Sequence, residues 1–97
     1  MIIGIDPGIF GAIAWVSDDG HLIGVADMPT VEVAGKKKVS PQMLVAMLED
    51  YDDVKMVAIE DVHALPGQGV TSMFSFGYSA GILAGVCAGL RMPMSFY

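Results

Sequence analysis

The sequence predicts a single α/β domain, spanning residues 1–97, that is built on a mixed β-sheet. Three observations lead to this fold class. Short apolar runs separated by turn residues open the chain, a helix start follows near residue 40, and a long helical segment lies between two later apolar runs. Because chains usually divide into units of roughly 100 to 200 residues, we expect a single domain and not a two-domain enzyme.

The first part of the chain is typical of an antiparallel meander. Residues 1–5 are apolar and are followed by Asp6, Pro7 and Gly8, which predicts a buried strand and then a sharp turn. Second and third strands are expected over residues 11–16 and 21–26, because an Asp-Gly pair between two apolar runs is typical of a hairpin. The stretch from there to residue 39 lacks a clear period, and we expect it to be a loop.

A first helix is predicted from residue 41 to about residue 50. Ser40 is a good N-cap and Pro41 has the backbone angle of a first helical residue. One face then carries Leu44, Met47, Leu48 and Tyr51.

The second half of the chain predicts a strand, a long helix and a last strand. The strand covers residues 55–59 and is followed by Glu60. The helix has Thr71 or Ser72 as its N-cap and ends near residue 89, and the last strand covers residues 94–97. Right-handed helical crossovers would place the fourth strand beside the first, in the order 3-2-1-4-5.

Charge and cysteine content limit the function classes. Five basic and eleven acidic residues give a net charge of −6, which argues against a protein that coats nucleic acid by bulk attraction. A local basic patch at Lys36, Lys37 and Lys38 remains compatible with this charge, although such runs are more often solvated loops. Cys87 is the single cysteine and no leader precedes the first strand, so we expect a cytoplasmic protein.

The long helix carries a face of minimal side chains. Gly77, Gly81, Gly85 and Gly89 recur every four residues, and each interior glycine costs roughly 0.5 to 1 kcal/mol relative to alanine. Close packing must offset this loss, against the sheet, the same helix of a second subunit, or a partner helix in a membrane. The uncharged stretch is long enough to span a membrane, but its polar residues and frequent glycines favour a protein without a membrane segment.

Two carboxylates are predicted to meet at one edge of the sheet. Asp6 and Glu60 each follow one of two neighbouring parallel strands, which lie about 4.8 Å apart. Like charges at such a distance repel, so either one carboxylate takes up a proton or a divalent cation lies between them. Oxygen ligands without a cysteine or histidine cluster favour Mg²⁺ or Mn²⁺. From the residues alone, two acids that are simply solvated at strand ends are more frequent than a metal site.

The sequence also resembles the RuvC-like family of Holliday-junction resolvases, in particular its short bacterial and bacteriophage branch. The resemblance is carried by the phrases IIGIDPGIFGAIAWV, ADMPT, GKKKVSPQMLVAML, VAIEDVHALPGQGVTSMFSFGYSAGILAGV and GLRMP, which cover essentially the whole chain. The first and fourth phrases are the most specific, because each sets an acid at the end of a strand.

The resemblance implies an RNase H-like fold and a homodimer in a bacterial or phage-infected cell. The dimer would bind a four-way DNA junction and nick two symmetric strands with Mg²⁺ or Mn²⁺. In that family the acids that match Asp6 and Glu60 are metal ligands. Cleavage would therefore be a metal-assisted hydrolysis of the phosphodiester bond.

The resemblance assigns further roles outside the acid pair. Three adjacent lysines would contact phosphates, namely Lys36, Lys37 and Lys38. His63 falls where bacterial relatives carry an aromatic residue that inserts near the crossover. The small residues of the long helix would lie near the dimer contact, namely Gly77, Gly81 and Gly85.

One departure from the family concerns the end of the fold. Family members continue past the fifth strand into helices, the last of which carries two more acids that complete the metal site. We therefore expect an incomplete nuclease domain in residues 1–97, with weak metal binding and little cleavage.

Two alternative functions stay open. The first is a non-catalytic module that binds DNA or dimerises. The second is a fragment of an actin-like ATPase or sugar kinase, because the first strand of those enzymes also ends in an Asp-x-Gly turn before a hairpin. Those enzymes hold nucleotide between two domains, so the short chain argues against this class and no nucleotide cofactor is expected.

Overall fold

The computed structural model describes residues 1–61 and 66–97, which contain seven strands and two helices. The strands are β1 (Ile2–Asp6), β2 (Ala12–Val16), β3 (Leu22–Asp27), β4 (Thr30–Val33), β5 (Lys36–Val39), β6 (Met56–Ile59) and β7 (Met94–Phe96). The helices are α1 (Pro41–Leu48) and α2 (Val70–Gly89).

Five of these strands form one mixed sheet in the order β3-β2-β1-β6-β7. Strand β2 is antiparallel to both of its neighbours, whereas β1, β6 and β7 are parallel to one another. The predicted order is confirmed, with β6 and β7 as the fourth and fifth strands of the prediction. The crossover helices let β6 and β7 run parallel to β1.

The hydrophobic core lies on one face of the sheet. Every second residue of β1, β2 and β6 is buried there, and both helices contribute to the same cluster. Leu44 and Leu48 of α1 are fully buried, as the predicted face requires. On the opposite face Ile2, Leu22 and Val25 remain exposed, so the two helices cover one side of the sheet only.

The two helices start differently. Ser40 is the N-cap of α1, and its hydroxyl accepts a hydrogen bond from the Met43 N–H at 3.3 Å, as predicted. Helix α2 begins two or three residues earlier than expected, so Gly69 is its N-cap and no side chain caps it. The prediction of Thr71 or Ser72 as N-cap is wrong, because both lie inside the first turn.

The predicted loop before α1 is wrong, because β4 and β5 form an antiparallel hairpin in a sheet of their own. Ala34 and Gly35 have positive φ angles of 52° and 78°, as in the two-residue turns that match strand twist. Glu32 lies opposite Lys37, a favourable cross-strand charge pair. Most side chains on both strands are exposed, and the Lys-Lys-Lys-Val sequence of β5 has no alternation of apolar and polar residues that would predict a strand.

Helix α2 packs against α1, β5 and β7 through a narrow inner face. Ser79, Leu83 and Cys87 form this face, and burial raises the pKa of the Cys87 thiol. In the most apolar 18-residue stretch of α2, only 17% is buried. By length and composition α2 is able to cross a membrane, a property that core helices of soluble proteins share.

An ion-pair cluster joins the strands at the edge away from the acid pair. The Asp18 carboxylate, in the β2–β3 turn, contacts the N-terminal amine of Met1 and lies 3.1 Å from the Lys55 Nζ atom. Hydrogen bonds from the amine and then from Lys55 hold the pKa of Asp18 below its ordinary value. The cluster links the starts of β1 and β6, the two strands that carry the acids.

The β1–β2 turn holds the Asp6 backbone in close contact with Gly11. The Gly11 N–H donates to the Gly8 carbonyl at 3.0 Å, and the Gly11 carbonyl accepts from Met28 at 3.0 Å. A Cβ atom built on Gly11 would overlap the Asp6 carbonyl oxygen. Only glycine fits this position.

We expect Gly11→Ala to lower the free energy of unfolding by about 2 to 3 kcal/mol, because its Cβ would overlap the Asp6 backbone. Urea unfolding followed by circular dichroism measures the change. Gly4→Ala is the matched control, since a Cβ at Gly4 meets nothing within 4 Å. Equal stabilities of the two variants would contradict the close contact.

We expect Ala34→Asn to raise the free energy of unfolding by about 0.5 to 1 kcal/mol, because asparagine tolerates a positive φ better than alanine. Ala46→Asn on the exposed side of α1 is the control and should lower stability, since asparagine is a weaker helix former. Thermal unfolding of the three proteins tests this. A lower stability of Ala34→Asn would mean that the turn is built differently.

Candidate functional site

Asp6 and Glu60 lie side by side at the carboxyl edge of the sheet. Ile5 of β1 is opposite Ile59 of β6, and the Glu60 N–H donates to the Ile5 carbonyl at 3.0 Å. The parallel ladder therefore extends one step further, to the two acids. Neighbouring strands in such a ladder are about 4.8 Å apart.

Both acids belong to the face of the sheet that the helices leave open. Ile5 and Ile59 are buried on the helix side, and successive side chains of a strand alternate between faces. Asp6 and Glu60, each one residue further along, are exposed. The sequence prediction that these two strand ends converge agrees with the strand register.

The acid pair matches Mg²⁺ in ligand type but supplies only two side chains. Carboxylate oxygens are ligands that Mg²⁺ prefers, and that ion usually keeps several water or phosphate ligands. Asp27 ends β3 in the same row, but β2 separates it from Asp6. Within residues 1–61 and 66–97, no group of three histidine, cysteine or acidic side chains is arranged to hold a metal.

Two neighbouring clefts connect the acid edge with the lysine hairpin. The first, of about 570 Å³, lies between the β1–β2 turn and the first half of α2, and Asp6 borders it. The second, of about 470 Å³, lies between β5 and α2. The two clefts share four lining residues, namely Ile9, Thr71, Ser75 and Ser79. Hydroxyl groups of α2 thus line the passage between them.

The lysine run lies on a strand, where its side chains meet aromatic rings. The Lys38 Nζ atom is 4.4 Å from the ring centroid of Tyr78 and 5.9 Å from that of Phe74. The Lys37 Nζ atom is 6.0 Å from the ring centroid of Phe10. At these distances an ammonium group is attracted to the ring face. Two of the three lysines are therefore held by the fold and do not belong to a solvated loop.

The other predicted site residues have different outcomes. His63 lies outside the described residues, so its role near a DNA crossover stays a prediction. Gly77, Gly81 and Gly85 are exposed, and a Cβ built on any of them meets no atom within 4 Å in the described part of the chain. The sheet of the same chain is thus not the packing partner of this glycine face.

Sequence reasoning did not identify the aromatic residues of the two clefts as site residues. Phe74 and Tyr78 are four residues apart on α2, which places them on one face of the helix. Phe10 lies in the β1–β2 turn and is 87% exposed. The four-residue spacing was visible in the sequence, but the position of β5 opposite these rings was not.

Two solved structures are similar to this chain over 99% of its length. One is Thermus thermophilus RuvC in complex with Holliday junction substrate, with a TM-score of 0.67 and 17% sequence identity. The other is a Thermus thermophilus RuvC structure, with a TM-score of 0.52 and 16% identity. The chain spans 64% and 62% of the lengths of these two proteins.

No protein-family model matches the sequence, and no curated protein matches it significantly. The likeness to the two structures is one of fold. The five-stranded mixed sheet with two helices is the RNase H-like fold of RuvC, which confirms the predicted fold class.

Proposed function

We propose that this chain is the core of a metal-dependent endonuclease that resolves four-way DNA junctions. The observation that carries the proposal is the register of β1 and β6, which brings Asp6 and Glu60 together at one edge of the sheet. It is supported by the fold shared with Thermus thermophilus RuvC, which was solved with a Holliday junction substrate.

In this proposal Asp6 and Glu60 hold Mg²⁺ or Mn²⁺ through their carboxylate oxygens. Such a cation supplies activation of the attacking water and stabilisation of charge on the departing 3′ oxygen. The two side chains are exposed, so a DNA phosphate reaches them without a movement of the sheet. The contact between Gly11 and the Asp6 carbonyl restricts the backbone that carries the first carboxylate.

The lysines of β5 are proposed to bind DNA phosphates. The chain as a whole is acidic, with a net charge of −6, and repels DNA at long range. Lys36, Lys37 and Lys38 are three of its five basic residues and are grouped on one strand, so they are the natural contact for a polyanion. The cleft that they border adjoins the cleft bordered by Asp6.

A homodimer is part of the proposal, because two symmetric nicks require two active sites. The exposed glycine face of α2 is the proposed contact, since small residues let two helices approach closely. A dimer would also cover apolar surface of α2, of which little is buried in one chain. We place this dimer in the cytoplasm of a bacterial or phage-infected cell.

We expect Asp6→Asn to weaken Mn²⁺ binding at least about tenfold, because one of two charged ligands is lost. Broadening of amide NMR signals around residues 6 and 60 by Mn²⁺ measures this binding. With protein in excess over a fluorescent four-way junction, and with Mn²⁺ present, Asp6→Asn should also nick the junction more slowly than the wild type. Glu60→Gln should behave alike.

Asp52→Asn is the matched control for this experiment. Asp52 is an exposed acid in the connection between α1 and β6, away from the proposed site. It should leave both Mn²⁺ broadening and nicking unchanged. Equal Mn²⁺ binding and equal nicking by the wild type and Asp6→Asn would rule out the proposed role of the acid pair.

A non-catalytic dimerising module is the second candidate, and the open glycine face favours it. We expect Gly81→Leu to shift the monomer–dimer equilibrium at least about tenfold towards monomer, because a leucine prevents close helix contact. The variant should fold, since a Cβ at this position meets no atom of residues 1–61 or 66–97 within 4 Å. Sedimentation equilibrium measures the change.

Ala46→Leu, on the exposed side of α1, is the control for added apolar surface and should leave the equilibrium unchanged. A Gly81→Leu protein with the dimerisation constant of the wild type would exclude the glycine face as the contact. Junction nicking by a monomeric Gly81→Leu protein would separate catalysis from dimerisation.

A further inference from the structure

The fold brings aromatic rings and ammonium groups from three separate segments close together, around two clefts that share lining residues. We call this set the aromatic–lysine surface: Phe10, Lys37, Lys38, Phe74 and Tyr78. Its members come from the β1–β2 turn, strand β5 and helix α2. The acid pair does not require any of them, and the core does not include them.

The phenylalanine rings of this surface are largely exposed to solvent. Phe10 is 87% exposed and Phe74 is 67% exposed, although phenylalanine is a residue type that is usually buried. Apolar surface left in water forgoes the favourable free energy that burial would give. A partner that covers the rings would recover this free energy, so their grouping indicates a binding surface.

The charge of the surface selects an anionic partner. Lys37 and Lys38 lie within 6.0 Å of ring centroids, while the chain as a whole carries a charge of −6. A partner that contacts this surface must therefore offer negative charge and flat apolar groups together. Nucleotides combine these two properties, because each has a phosphate and a base with a π-face.

The arrangement favours unpaired nucleotides over a continuous duplex. In a duplex the faces of the bases are stacked on one another, and only groove edges and phosphates are accessible. An ammonium group near one face of an exposed ring leaves the opposite face accessible, and the flexible lysine stem lets the charge move to a phosphate. The cleft beside β5, of about 470 Å³, lies within the usual range of about 300 to 1,000 Å³ for small-molecule sites.

We propose that the aromatic–lysine surface binds unpaired nucleotides of single-stranded DNA. Bases stack on Phe10 and Phe74, and the ammonium groups of Lys37 and Lys38 contact the neighbouring phosphates. This deepens the proposed function and rests on it, since DNA strands open near a branch point would supply such bases next to the acid pair.

The test measures binding of a short oligothymidylate that contains one 2-aminopurine, whose fluorescence falls when it stacks. A linear duplex of the same length is measured in parallel. We expect Phe10→Leu and Phe74→Leu each to weaken single-strand binding about 5- to 150-fold and to restore the fluorescence. Duplex binding should change less than twofold.

Conservative and distant variants separate stacking from a loss of apolar surface. Phe10→Tyr and Phe74→Tyr keep a ring and should bind the single strand like the wild type. Leu22→Ala removes an exposed apolar side chain from β3, away from the surface, and should change nothing. Lys37→Gln with Lys38→Gln should weaken single-strand and duplex binding alike and reduce the salt dependence.

The outcomes distinguish this inference from the proposed function. The stacking role would be overturned if the leucine variants bound the single strand and lowered the 2-aminopurine fluorescence like the wild type. It would also be overturned if they lost duplex and single-strand binding equally. A wild-type protein that binds no DNA of any form would overturn both proposals. Single-strand binding with stacking, together with equal Mn²⁺ binding by the wild type and Asp6→Asn, would keep this inference and remove the proposed role of the acid pair.

Discussion

The parallel pairing of β1 with β6 is the constraint on which the rest of the molecule depends. It aligns Ile5 with Ile59 on the helix side, and the next residue of each strand is a carboxylate on the open side. The same two strands thus supply the centre of the core and the candidate site. Because the side-chain period of a strand is two, a slip of one residue would exchange these roles and bury charge.

The second organising contact lies between the β4–β5 hairpin and α2. The hairpin forms no part of the main sheet, yet β5 packs against α2 and holds its lysines beside aromatic rings. In this way a basic, aromatic surface is built next to an acidic sheet edge on a chain of negative net charge. The hydroxyl groups of α2 that line both clefts join the two regions into one continuous surface.

The glycine repeat of α2 gains a clearer meaning from the fold. Glycines in a helix interior are costly, and a close contact within the chain was one explanation for them. The structure leaves Gly77, Gly81 and Gly85 exposed with free space around them. The buried side of α2 is instead formed by Ser79, Leu83 and Cys87. The small residues therefore shape an outer surface of this chain.

The sequence by itself determined the elements that depend on interactions between residues close together in the chain. Apolar runs that end at turns gave the strands of the main sheet and their order, Ser40 with Pro41 gave the start of α1, and two strand-end acids gave the candidate site. These predictions succeeded because burial and capping act over a few residues.

Tertiary structure alone decided the hairpin and the aromatic–lysine surface. Strands β4 and β5 have little buried apolar side chain, so only their pairing across the turn at Ala34 and Gly35 defines them. Phe10 and Phe74 lie 64 positions apart in the sequence. Their common surface depends on how β5 and the β1–β2 turn lie against α2, a long-range contact that no local pattern encodes.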